Sequence, residues 1–316
     1  MTTRTIALSL PWLRGLLVAF SALGAGEKNR LSLWIDIYQG EPVAFKELLD
    51  DLAQTRVIYL GERHTIQRHH DIQEQILTAL AQAGRPLVLG LEQIESFQQP
   101  AVERYNRGEI DFDQLARAID WAHRWPNYEQ FRPILQSARK LGIPVLALNA
   151  RAETIRRVAQ SGGVGRLDRQ SRKELPAEIQ LDDPLYGKLL TLEMMVHASV
   201  NPETLRPMIE AQIARDEAMA ETLSRYLNSQ AGRGRSAVVL CGAGHVAYGL
   251  GTPARVRRRI PGVKDRIVLL SESGDLVLSP EEKAAAREIT ITHEDLRQIG
   301  RPVADYLHVI SLKAGE

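Results

Sequence analysis

"VIYLGERHT", Val57–Thr65, is an apolar run that breaks at Gly61 and delivers a histidine, His64, three residues on. Much later "AVVLCGAGHVAYG", Ala237–Gly249, repeats the device with Gly242 and His245. A short continuous apolar run rich in β-branched residues reads as a strand covered on both faces, the habit of parallel sheets. Glycine after such a strand lets the backbone turn sharply, and a histidine beyond the turn can point back over the sheet. Written twice, the pattern predicts two parallel strands whose carboxyl ends share one crevice.

Outward from these two runs the chain alternates short apolar stretches with helical patterns, the signature of βαβ units. Strands are expected at Arg56–Leu60, Pro86–Glu92, Ile143–Asn149, Ser236–Gly242 and Asp265–Leu270, with a sixth, Ala304–Ile310, at an edge. Ile72, Ile76, Leu77 and Leu80 fall on one helical face that stops at Gly84. Phe131, Leu135 and Ala138 do the same between Tyr128 and Leu141, so two crossover helices are expected. The segment from the third strand to the fourth far exceeds the roughly 10–12 residues a crossover needs. It is read as a helical cap over the crevice, about 151–235, with a Gly-rich hinge at Gly162, Gly163 and Gly165 and a long helix from about Pro202 to Leu227. The expected fold is therefore α/β: a mainly parallel sheet flanked by helices, with a helical cap inserted between the third and fourth strands. Residues 27–316 form a single domain in this reading.

Composition sets bounds. The 316 residues are 44% hydrophobic and 25% charged, with a formal charge of +1, which gives no electrostatic reason to expect a nucleic-acid partner. The basic cluster Arg255–Arg259 reads as a solvated helix face in preference to a site that attracts phosphate or propionate. Cys241 is the single cysteine, so an intrachain disulfide and a Cys-rich metal site are both excluded. Residues 1–26 carry Arg4, an apolar stretch and then small residues near Ala22–Gly26, the pattern of an export signal or membrane anchor. This points to an exported protein, periplasmic or held at the membrane of the cell envelope. No cysteine lies near the cleavage point, so a lipid-modified N-terminus is not expected.

The strand ends carry the chemistry. They supply Glu62, Arg63 and His64; Glu92 and Gln93; Asn149 and Arg151; and His245. Glu62, His64, Glu92 and His245 would suffice to hold a divalent metal such as Zn²⁺, Mn²⁺ or Co²⁺, with Glu62 and Glu92 as ligand or catalytic base and an open position to activate water. Read singly, each has a plainer role: a hydrogen-bonded structural histidine, a helix-capping carboxylate. His69 and His70 read as exposed helix surface, with the alternative that either faces the same crevice, and Arg215 with Asp216 as a surface ion pair that could reach the crevice. Trp121, Trp125, Tyr128 and Phe131 read as core packing or as the wall of a slot for a flat ligand.

"YLGERHT", "LGLEQ", "WPNYEQFRPILQSARKLGIPVLALN", "QIARDEAMA" and "GAGHVAYGLGTPARV" in this order resemble the ChaN-like haem-binding family of the Tiki superfamily, over about Leu48 to Ile260. The resemblance implies haem binding in iron acquisition at the bacterial envelope, often by a lipoprotein; this chain lacks the lipobox cysteine. Relatives include Tiki-type metal-dependent peptidases and, more distantly, erythromycin esterases, so a metal-dependent hydrolase stands as the alternative. Haem iron is held by His or Tyr, and its propionates by basic groups. The candidates are His64, His245, Tyr128 and Tyr248 for iron, and Arg63 and Arg215 for propionates. A homodimer is a candidate assembly.

Overall fold

The computed structural model describes residues 32–197, 202–273 and 299–311. The export-like segment, residues 1–26, lies outside them. Eight strands form one sheet: β1 (Ser32–Asp36), β2 (Glu41–Val43), β3 (Val57–Glu62), β4 (Leu87–Glu95), β5 (Val145–Asn149), β6 (Ser236–Gly242), β7 (Asp265–Ser273) and β8 (Tyr306–Ser311). Their order is β2-β1-β8-β7-β3-β6-β4-β5. From β8 to β5 every neighbouring pair is parallel, while β1 runs antiparallel to both β2 and β8. The expected mainly parallel α/β architecture is thus present, with one correction. Ala304–Ile310 does not mark an edge strand, because the β1–β2 hairpin pairs beyond β8.

Strict alternation divides the sheet residues between two cores. Ile58, Leu60, Leu89, Leu91, Val238 and Leu240 face α1 (Phe45–Leu52), α2 (Gln67–Gln82) and α6 (Arg132–Lys140). Val57, Tyr59, Val88, Val239 and Cys241 face the other way. Each strand spends its full apolar run because both faces are covered. α2 inserts Ile72, Ile76, Leu77 and Leu80, and α6 inserts Leu135 and Ala138, all buried.

Between β4 and β5 lie α3 (Gln99–Asn106), α4 (Phe112–Ala118), α5 (Trp121–Arg124) and α6. Between β5 and β6 lie α7 (Ala152–Ser161), α8 (Arg169–Lys173), α9 (Pro184–His197) and α10 (Pro202–Asn228). α10 is more than a cap. Its last turns bury Met219, Ala220, Leu223 and Leu227 against the sheet, so it also serves as the crossover that covers the second face. α11 (Thr252–Arg259) packs beside it through Val256.

One sheet edge is covered by side chains, and the other, among the described residues, is short. At β5, Asn106 donates to the Val145 carbonyl and accepts from its N–H, both at 2.9 Å, and Gln99 accepts the Ala147 N–H at 2.7 Å. Two amide side chains from α3 thereby stand in for a neighbouring strand. At the opposite edge among the described residues, β2 has three residues, one of them Pro42.

The cluster Arg255–Arg259 is not a solvated face. Arg255 is 1% exposed and, with Arg258 and Arg259, converges on Glu217 of α10, itself 0% exposed. Arg257 pairs instead with Asp265.

Candidate functional site

β6 lies between β3 and β4 in exact register, with Glu62 opposite Gly242 and Leu91 opposite Leu240. The three strand ends therefore bring Glu62, His64, Glu92 and His245 together at one crevice. The two imidazoles are held by a chain of carboxylates. His64 Nδ1 donates to Glu62 Oε1 at 2.8 Å, and its Nε2 stands 3.9 Å from Glu92 Oε1. His245 Nε2 lies 3.2 Å from the same Glu92 oxygen, and its Nδ1 lies 2.8 Å from Asp216 Oδ1.

The two glycines interlock the two motifs. A Cβ on Gly242 would stand 2.9 Å from His64 Nε2, so the glycine of the second motif makes room for the histidine of the first. A Cβ on Gly61 would meet Leu269 Cδ2 at 2.5 Å and Val246 Cγ2 at 2.9 Å, so the first glycine makes room for the residue following His245. Gly61→Ala is expected to cost about 1–3 kcal/mol through overpacking of buried neighbours. Gly242→Ala should cost less, because the part-exposed His64 ring can swing aside. Urea denaturation of both variants checks the order; equal costs would show that the His64 ring is as rigidly seated as the core.

The imidazoles are not equivalent. Each nitrogen of His245 faces a carboxylate oxygen, and the Gln212 amide nitrogen stands 3.1 Å from Nδ1 and 3.3 Å from Nε2. Burial would lower the His245 pKa, but Glu92 and Asp216 outweigh that and raise it well above the ordinary histidine value. Asp216, 0% exposed, is fixed in turn by hydroxyls of Tyr186 and Thr252, each at 2.7 Å. His245 is a buried, clamped imidazolium. His64 is hydrogen-bonded to one carboxylate and has a side chain 34% exposed, and its Nε2, 3.9 Å from Glu92 Oε1, makes no hydrogen bond among the described residues. Burial would lower its pKa too, and Glu62 and Glu92 raise it.

The carboxylates are engaged from several sides. Glu62 receives Gln93 Nε2 on Oε1 at 3.0 Å and Gln73 Nε2 on Oε2 at 2.6 Å, while His70 Nε2 stands 3.3 Å from Oε2. Burial works to raise its pKa, and the hydrogen bonds of His64 and His70 bring it below the usual carboxylate value. Glu92 Oε2 accepts the Gly242 N–H at 2.7 Å. Its burial is opposed by the charges of His245, His64 and Arg215, which hold its pKa far down. Glu193 of α9 has no hydrogen-bond partner among the described residues, and burial pushes its pKa up to about 7.

This donor set does not fit a resident divalent ion. Glu62 has amide donors on both oxygens, and each His245 nitrogen is already engaged with a carboxylate oxygen. Among the described residues no group of three or more His, Cys, Asp or Glu has the arrangement of a metal site.

Other expected positions need correction. His69 and His70 are not exposed; they are 0% and 1% accessible. Asp216 is not part of a surface pair. The Tyr128 ring stacks on Phe112 at 6.1 Å and lies 5.7 Å from the Trp121 ring, and the structure shows no contact between it and His64 or His245 among the described residues. Trp125 takes the place beside the site, its ring edge-on to His64 at 4.8 Å. Tyr248 follows His245 in a left-handed backbone conformation, φ 56°, and packs on the cluster around Tyr186 and Leu250. Arg63 is exposed at the crevice mouth. Arg215 is half-buried near Glu92, with a buried Nε that has no hydrogen-bond partner. Arg151 lies 3.9 Å over the Phe97 ring and pairs with Glu174, away from the crevice. Asp216, Glu193, Tyr186 and Thr252 complete the site from segments remote in sequence; only the proximity of Asp216 to Arg215 hinted at any of them.

Comparison with known proteins follows the same outline. The model of a family described as haem-binding uptake, Tiki superfamily, ChaN, matches residues 48–256. The solved structure of ChaN of Campylobacter jejuni, described as binding haem cofacially, is 18% identical with a TM-score of 0.65, covering 88% of this chain and 96% of that one. An erythromycin esterase in an open conformation is 13% identical, with a TM-score of 0.45 over 76% of this chain and 77% of that one. Protein RETICULATA-RELATED 5, chloroplastic, of Arabidopsis thaliana is 26% identical over 268 residues, 78% of this chain. The chain spans 36% of the length of that curated relative. With the family model matched across the β3 to α11 region that builds the crevice, the chain belongs to the ChaN haem-binding uptake family of the Tiki superfamily.

Proposed function

We propose that this protein binds haem at the crevice through His64 and acts in haem or iron uptake at the bacterial cell envelope. One observation carries the reading: His64 presents an Nε2 without a hydrogen bond while its Nδ1–H is fixed on a buried carboxylate 2.8 Å away. A carboxylate on the far nitrogen fixes the tautomer, orients the ring and raises its basicity, as an iron ligand requires. Arg63 at the mouth and Arg215 beside Glu92 supply positive charge suited to propionates, and Trp125 offers an aromatic edge. His245, protonated on both nitrogens, serves as a fixed positive charge rather than a ligand. Bound there, haem would supply a redox-active iron centre. The envelope location rests on the pattern of residues 1–26. No helix among the described residues is long and apolar enough to cross a membrane.

Hemin titration followed at the Soret band tests the proposal. His64→Ala is expected to weaken binding by about tenfold or more, as loss of a ligand should exceed the roughly 10–100-fold cost of losing an outer partner at its low end. Tyr128→Phe, whose ring packs on Phe112, should leave it unchanged. Unaltered affinity in His64→Ala would remove His64 as the ligand.

A further inference from the structure

We infer that the crevice discriminates between oxidation states, taking ferric haem in preference to ferrous haem, and that Glu62 is the positioning residue that sets the preference through His64. The inference rests on the haem reading above and adds to it the form of the ligand.

Two observations carry it. The first is the Glu62–His64 bond. An anionic carboxylate that is 2% exposed and 2.8 Å from Nδ1 draws the Nδ1 proton toward itself and leaves Nε2 a more anionic donor. Such a donor stabilises the higher charge of ferric iron more than that of ferrous iron, one of the levers by which a protein sets haem potential. The Glu62 carboxylate cannot turn away when the iron charge changes, because Gln73 and Gln93 hold its two oxygens and His70 stands against it. Gln73 and His70 are 0% and 1% exposed, so solvent does not compete for these bonds.

The second is the charge balance around the ring. Glu92, 2% exposed, stands 3.9 Å from His64 Nε2, and Asp216 lies beyond His245. Asp216 is paired with His245, and Arg215 and the exposed Arg63 add positive charge farther out, whereas the two carboxylates nearest the His64 ring are Glu62 at 2.8 Å and Glu92 at 3.9 Å. Charges in a water-poor crevice interact more strongly than they would in solution and most strongly at short range, so these two neighbours favour the more positive iron.

Anaerobic titration of the full chain with hemin, and with haem kept reduced by dithionite, tests the inference. Ferric haem is expected to bind about tenfold more tightly or better, which places the midpoint of the bound couple about 59 mV or more below that of free haem. Glu62→Gln keeps an acceptor for Nδ1–H and removes the charge, so the ferric preference should shrink by about threefold or more. In the haem-free proteins, ¹⁵N spectra of the His64 ring should show Nδ1 protonated in both, which separates loss of charge from loss of position. Equal affinity for the two oxidation states in the unaltered chain would overturn the inference while leaving haem binding intact. A ferric preference unchanged in Glu62→Gln would remove Glu62 as its source. Failure of either form to bind would overturn the haem reading and this inference with it. Should Glu62→Gln fail to fold, the midpoint of the unaltered chain decides alone.

Discussion

Between pH 6.5 and pH 4 the protein is expected to lose about 6 kcal/mol of folding stability through two histidines, His69 and His308. Burial lowers the pKa of each to about 4. For His69, Glu62 opposes that and the charges of His70, His308 and Arg63 add to it; for His308, Arg68 adds to it. His69 has a further reason to stay neutral, since its Nδ1 accepts the backbone N–H of Arg63 at 3.0 Å and a proton there would break the bond. In the unfolded chain both rings take a proton as pH falls through about 6.5, whereas in the folded chain they resist until about 4. The unfolded state thus binds more protons across that window, so stability falls with pH, by about 3 kcal/mol per ring at pH 4. Against a typical total of about 5–15 kcal/mol, this is enough to bring acid unfolding within reach above pH 4. Urea denaturation at several pH values checks it. His308→Gln should remove about half of the loss, and a midpoint flat between pH 7 and pH 5 would refute the assignment. Because the Arg63 amide is tied to His69, protonation would also loosen the turn that carries His64.

Glu217→Ala is expected to destabilise the fold by about 3–5 kcal/mol at neutral pH, the usual cost of stranding a buried charge. Arg258 and Arg259 reach Glu217 at 2.6 Å and Arg255 at 3.5 Å, and the Gln180 N–H donates to it at 3.0 Å. Without the carboxylate, the buried Arg255 guanidinium would keep only Asp183, 3.4 Å away, as an anionic partner. Glu217 adjoins Asp216 on α10, so slackening here should also disturb the clamp on His245. Thermal and urea denaturation of the variant measure the effect. A cost below about 1 kcal/mol would mean that the arginines find water instead, as at an exposed pair.

The sheet was legible because its central strands are uninterrupted apolar runs ending in glycine or a charged residue, and parallel strands covered on both faces have no other way to be written. That alone located Glu62, His64, Glu92 and His245. β1 was not legible: Ser32–Asp36 is a short mixed stretch whose one buried residue is Trp34, and its place depends on β8, far along the chain. Asp216 and Glu217 look like surface charges on a long polar helix, since nothing local shows that α11 will present Arg255, Arg258 and Arg259 to Glu217, or that His245, Tyr186 and Thr252 will meet Asp216. His69 and His70 mislead for a similar reason. Polar residues at a helix start normally face water, but here they line the underside of the crevice, with His70 against Glu62 and His69 holding the turn.

The amide pair on β5 and the proline in β2 bear on how this chain behaves in company. An uncovered strand is a template on which another molecule can continue the ladder, the usual beginning of runaway β-aggregation. On one side an incoming strand would have to evict both Asn106 and Gln99; on the other it would meet three residues, one without an N–H to offer. Among the described residues, then, neither edge offers an incoming strand a long free ladder, and on the β5 side such a ladder is freed when α3 peels away.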